Sequence, residues 1–168
     1  MRLVPSAVFT AALFIAGAAH SAVNSVDVTI GPRLQAKAQT LGQRDLNDLA
    51  DTLRSMVESQ LKRDGLLARG ASGGDRITLV IEDAKPNRPT LGQLDARPAL
   101  SIRSLGVGGA EVSGALTTAS GEVTPIHETW YEDDLRNERG AAMTTWSDAE
   151  YVFDKVARDL SRRQSASR

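Results

Sequence analysis

The chain has 168 residues, of which 20 are basic and 21 acidic, for a formal net charge of −1. That length suits one domain, and the balanced charge offers no broad cationic field to a phosphate backbone. Aromatics at 4% argue against base-stacking platforms, so no nucleic acid partner is expected; the lack of cysteine excludes disulfides, thiolate metal sites, a cysteine nucleophile and lipid attachment at a mature amino-terminal Cys.

Met1-Arg2 gives a small positive start, and Leu3 to Ala19 is apolar apart from Ser6 and Thr10. Small side chains at Ala19 and Ser21 mark a peptidase site, so residues 1–21 are expected to be a signal peptide cleaved before Ala22. The run falls short of the ~20 residues of a spanning helix and contains Pro5, so no stable membrane span is expected after cleavage. The remaining chain, roughly 147 residues, can bury about two thirds of its unfolded surface around one core. Residues 22–163 are expected to form a single α+β domain that works in the periplasm or the medium, with 164–168 as a disordered tail.

Val26, Val28 and Ile30 alternate with polar neighbours and predict a first strand, stopped by Gly31-Pro32. Residues 33–43 show no period and read as a loop around Gly42. Asp45 then opens a helix whose stripe is Leu46, Leu49, Ala50, Leu53, Val57 and Leu61, flanked by Met56. Arg54 and Glu58 form an i,i+4 pair, Lys62-Arg63 suits the negative end, and Gly65 can close the helix. After a glycine-rich connection comes Arg76-Ile77-Thr78-Leu79-Val80-Ile81-Glu82-Asp83. Its apolar run is continuous, which predicts an interior strand covered on both faces. Strand, helix, strand is the order of a crossover unit, so the first two strands should be parallel.

Residues 84–98 hold three prolines and forbid a regular ladder, although Thr90 and Gln93 match a capping box for one helical turn. Residues 99–131 read as three strands. Leu100 and Ile102 lie on the first, and Gly108-Gly109 turns into the second, with Ala110, Val112 and Leu116. Ser120-Gly121 turns into the third, Val123 to Tyr131, which the missing donor of Pro125 either places at a sheet edge or makes begin late. A charged stretch from Glu132 to Ala142 breaks the pattern. Ser147 and Glu150 then form a capping box, with Trp146 and Tyr151 as a hydrophobic staple. Ala149, Val152, Phe153, Val156, Ala157 and Leu160 mark the buried face of a closing helix. The expected architecture is a two-layer α+β sandwich, a mixed sheet of about five strands with two helices packed on one face.

Catalytic signals are thin. His127 is the only histidine beyond the leader and stands on a strand without H-E-x-x-H spacing, so no metal is expected. Glu132, Asp133 and Asp134 could supply half of a carboxylate pair, or simply be a polar loop. Gly106-Val107-Gly108-Gly109 leads into no helix and is no phosphate cradle, and no G-x-S-x-G elbow marks a serine nucleophile. No cofactor and no catalytic set are expected. The best candidate surface is Asn87, Arg88, Thr90, Gln93 and Arg97 in the proline-rich loop. Two guanidiniums there can take carboxylate or phosphate groups, or else tie the loop to Asp83 and Asp95.

Pro86-Asn87-Arg88-Pro89-Thr90, Gly106-Val107-Gly108-Gly109-Ala110 and Trp146-Ser147-Asp148-Ala149 resemble phrases of a group of small exported proteobacterial proteins of unknown function, over residues 25–163. The element order is similar to periplasmic α/β sandwich domains of envelope-assembly proteins, which implies partner binding without catalysis. Many of those carry a lipid-attachment Cys that this chain lacks. The expectation is a non-enzymatic exported binding module with an envelope or secreted protein partner. Alternatives are a small envelope hydrolase using His127 or the 132–134 carboxylates, and an inhibitor of a secreted enzyme. The edge strand Val123–Tyr131 would also permit a homodimer.

Overall fold

A computed structural model describes residues 22–68, 70, 73–134, 136 and 143–166, so the expected leader lies outside the described residues. The elements in chain order are β1 (Val23–Ile30), α1 (Pro32–Gln35), α2 (Ala38–Leu41), α3 (Gln43–Arg63), β2 (Asp75–Lys85), α4 (Leu91–Ala96), β3 (Gly109–Thr117), β4 (Val123–Tyr131) and α5 (Ser147–Ala166). The sheet order is β1-β2-β3-β4. β1 and β2 are parallel, and the other two pairings are antiparallel. α3 lies over β1 and α5 over β3 and β4, and the two helices pack on each other. The class is α+β, as expected.

Both long helices form for the reason their sequences give. All six α3 stripe residues, Leu46 to Leu61, are buried, as are Ala149, Val152, Phe153, Val156, Ala157 and Leu160 on α5. They close on Val26 and Val28 of β1, Ile77, Leu79 and Ile81 of β2, and Val112 and Leu116 of β3 to make one core. No helix among the described residues is long and apolar enough to cross a membrane.

In several places the structure departs from the expected one. Among the described residues the sheet has four strands, because the segment around Leu100 and Ile102 forms turns and Ile102 is 68% exposed. Ser101 and Ser104 offer the backbone a local alternative to a ladder: the Ser104 hydroxyl accepts from Ser101 N–H at 3.1 Å, and the Ser101 hydroxyl from Arg103 N–H at 3.2 Å. Gly108-Gly109 makes no hairpin turn; Gly109 is already the first residue of β3, paired with Tyr131. β2 is interior to the sheet but covered on one face only, with Ile77, Leu79 and Ile81 buried while Thr78 is exposed and Val80 half-buried. Its continuous run reflects β-branched residues that favour a strand on either face. The 33–43 segment is two short helices, the first opened by Pro32 where a missing N–H costs nothing.

α5 also continues past residue 163. Gln164 is buried, and its Nε2 donates to the Asp75 carboxylate at 2.6 Å, whose other oxygen accepts Ala119 N–H at 2.9 Å. A polar residue at the helix's end looks like a tail in sequence, yet here it holds the buried start of β2.

Candidate functional site

Between β2 and β3 the chain runs from Pro86 to Gly108 with only α4 as regular structure. Asn87 fixes its start. The side chain is buried; its Nδ2 donates to the Asp148 carboxylate at 2.6 Å and to Gly106 C=O at 3.3 Å, and its Oδ1 accepts Asp148 N–H at 2.9 Å. The backbone joins in, with Asn87 N–H donating to Thr145 C=O at 2.9 Å and Gly106 N–H to Asn87 C=O at 2.8 Å. Asp148 also accepts Gly108 N–H at 2.9 Å. A Cβ on Gly108 would stand 2.5 Å from Asn87 Oδ1, so this contact requires glycine. The three sequence phrases around Asn87, Gly108 and Asp148 therefore meet at one point. Asn87 supplies the acceptor for the first turn of α5; Ser147, expected to do so, instead accepts Thr144 N–H at 2.7 Å. Tyr151, expected to staple to Trp146, sets its ring edge-on to Trp130 with centroids 5.0 Å apart.

Arg88 ties the start of the segment to its turn at Ile102 and to Met143 ahead of α5. Its Nε donates to Met143 C=O at 2.6 Å and its Nη1 to Ile102 C=O at 3.0 Å. It is thus not tied to Asp83, whose carboxylate takes Lys37 at 2.5 Å. Thr90 and Gln93 form the expected capping box on α4, with Thr90 Oγ1 accepting Gln93 N–H at 3.2 Å and Gln93 Oε1 accepting Thr90 N–H at 3.1 Å. α4 then docks on the α2–α3 junction, where a Cβ on Gly92 would meet Gly42 N at 2.8 Å. The Asp45 carboxyl in this junction is pushed above its usual range, chiefly by burial and then by neighbouring Asp48.

Of the five expected contact residues, then, Asn87, Arg88, Thr90 and Gln93 direct these hydrogen bonds into the segment and its anchor on α5, and Arg97 is exposed. The outward surface is made by residues that sequence reasoning missed. Leu91 is 62% exposed, Ile102 68% and Leu105 43%. Arg97 and Arg103 are exposed on the same segment, and neither has a carboxylate partner among the described residues. Reading Ile102 as part of a strand hides it, because an apolar strand residue is expected to face the core.

The uncovered sheet face carries the other candidates. His127 is exposed on β4, in register with Ser113 of β3. The Ser113 hydroxyl donates to Glu82 at 2.5 Å. A nucleophilic serine needs its hydrogen bond aimed at the histidine, with the carboxylate behind the ring; here the carboxylate takes the hydroxyl instead. Glu132 Oε1 accepts the N–H groups of Asp133 and Asp134 at 2.9 and 3.1 Å, and Arg136 holds the Asp134 carboxyl below its usual range through direct hydrogen bonds. An acid held ionised in this way is a poor proton donor. Among the described residues, no group of three or more His, Asp or Glu side chains could hold a metal ion. At the same end, burial together with Asp83 and Glu111 pushes the Tyr131 hydroxyl up to about 12.

No protein-family model matches the chain. A search of curated proteins finds no match either. Among solved structures, the crystal structure of a minor lipoprotein from Acinetobacter baumannii is similar over 84% of this chain and 91% of that chain, at 14% sequence identity and a TM-score of 0.36. A likeness this loose carries no argument about the site. One surface hollow of about 450 Å³ lies along Ser55, Glu58, Ser59 and Lys62 of α3 and Leu67.

Proposed function

We propose that this chain is a non-enzymatic binding module of the bacterial envelope or the secreted space, and that segment 86–108 is the surface it presents to a protein partner. One observation carries this reading: Leu91, Ile102 and Leu105 stand exposed on a segment whose ends are fastened by Asn87 and Arg88. Large apolar side chains held out by a fixed backbone lose little entropy on docking, and arginines among them suit an acidic rim on the partner. The amino-terminal pattern of residues 1–21 supports export, and the serine–carboxylate contact at Ser113 disfavours the hydrolase alternative.

Crosslinking in the native envelope, followed by capture of the adduct and its comparison with a variant, tests this reading. Replacing Leu91 and Ile102 by serine, together with Arg97→Ala and Arg103→Ala, should lower capture about tenfold or more, since truncated anchors cost above 1 kcal/mol each. Circular dichroism should not change, because all four side chains are exposed. Equal capture by parent and variant would refute the assignment, as would loss of capture on His127→Ala alone.

A further inference from the structure

β1 is an edge strand by its place in the sheet, but its first residues are held on both sides. From β2, Asp75 N–H donates to Ala22 C=O at 3.2 Å. From the opposite side, Val23 N–H donates to Leu66 C=O at 2.8 Å, and Val23 C=O accepts Ala68 N–H at 2.9 Å. Val23 is fully buried; it pairs with Asp75 and forms an isolated bridge with Leu67. Asn24 Oδ1 accepts Gly70 N–H at 3.0 Å. Gly74 runs so close that a Cβ on it would stand 2.7 Å from Ala22 O. The start of the strand is therefore threaded between two stretches of chain.

We propose that folding and leader removal exclude one another in this chain, so that a membrane signal peptidase must cut the Ser21–Ala22 bond before β1 is laid against β2. The proposal rests on the reading of residues 1–21 as an export leader. The step is a hydrolysis: water adds across the peptide bond, leaving a carboxylate on Ser21 and an amine on Ala22. A peptidase takes its substrate extended and pairs with main-chain groups on both sides of the bond, as a strand is added to a sheet. On the far side of this bond those groups belong to Ala22 and Val23, and Asp75, Leu66 and Ala68 already occupy them. No spacer stands between the bond and the fold, since β1 begins at Val23. Cutting the folded chain thus requires opening the start of β1 and exposing Val23. Chain order supplies the window. All three partners lie further along the sequence, so Ala22 leaves the membrane before anything can hold it. A chain that folds first keeps the apolar run Leu3 to Ala19 attached.

The order of addition tests this with the full chain. In one arm the urea-unfolded protein is diluted into detergent micelles that already hold a bacterial signal peptidase. In the other it is refolded in micelles first, checked by circular dichroism, and then given the enzyme. The first arm should yield a product whose amino-terminal residue is Ala22. The second should be slower by about a hundredfold or more, because cleavage then follows the small population in which three backbone hydrogen bonds have opened. An insertion of about six Gly and Ser residues between Ala22 and Val23 keeps the cut site but frees it from the sheet, so this variant should be cut equally fast in both arms. Gly74→Ala, which presses on Ala22 O, should quicken cutting of the folded chain and leave the other arm unchanged. Cutting of the folded parent as fast as the insertion variant would overturn the proposal. No cut at Ala22 in the first arm would instead remove the leader reading, and the proposal with it.

Discussion

Asn87→Ala is expected to lower the unfolding free energy by about 3 kcal/mol, because it leaves Asp148 N–H and part of its carboxylate without partners in a buried place. For a chain of this size the melting temperature should fall by about 10 °C. A urea titration should show a lower midpoint at an unchanged slope, since the fold loses stability without losing compactness. The isosteric Asn87→Asp separates hydrogen bonding from packing. It keeps the volume but sets a second carboxylate 2.6 Å from that of Asp148. Near neutral pH both would be ionised and repel, so this variant should be at least as unstable as the alanine one. As pH falls through the carboxylate range, one of the two takes a proton and can donate again. The gap to the parent should then narrow on acidification for Asn87→Asp but not for Asn87→Ala. Equal gaps at every pH would mean that the pair is not in contact.

Phe153→Ala should cost about 4 kcal/mol. Phe153 is fully buried on the stripe by which α5 covers β3 and β4, and truncation leaves a cavity that the sheet beneath cannot fill. Phe153→Leu, which keeps most of the volume, should cost less than half as much, about 1.5 kcal/mol. Equal losses for the two, by urea titration, would mean that the site collapses around the smaller side chain.

The helices and most of the strands are legible in the sequence because their periods are clean. Leu46 to Leu61 and Ala149 to Leu160 repeat at helical spacing, Val123 to Tyr131 alternates, and the Thr90–Gln93 box closes as written. What is illegible depends on long-range partners. Nothing beside Asn87 in the chain says that its amide will meet Asp148, sixty-one residues on. Gly108 reads as a turn until the side chain packed against it is known. Arg88 invites a carboxylate in sequence but meets two carbonyls in space. Ile102 shows the opposite failure, for an apolar residue is counted inward unless something local, here Ser101 and Ser104, diverts the backbone. Sequence reasoning therefore finds the right segment but misjudges what its residues do. Four of the five expected contact residues hold the frame, and the exposed apolar side chains of Leu91, Ile102 and Leu105 face the solvent.

The division of this segment into a fixed frame and an outward surface is tested most directly by amide hydrogen exchange of the free protein. The N–H groups of Asn87, Gly106, Gly108 and Asp148 should exchange about as slowly as those of β2, while Arg97 and Ile102 exchange quickly. Exchange of all six at the rate of an unstructured chain would contradict it, since a loose segment could not hold Leu91, Ile102 and Leu105 in one arrangement.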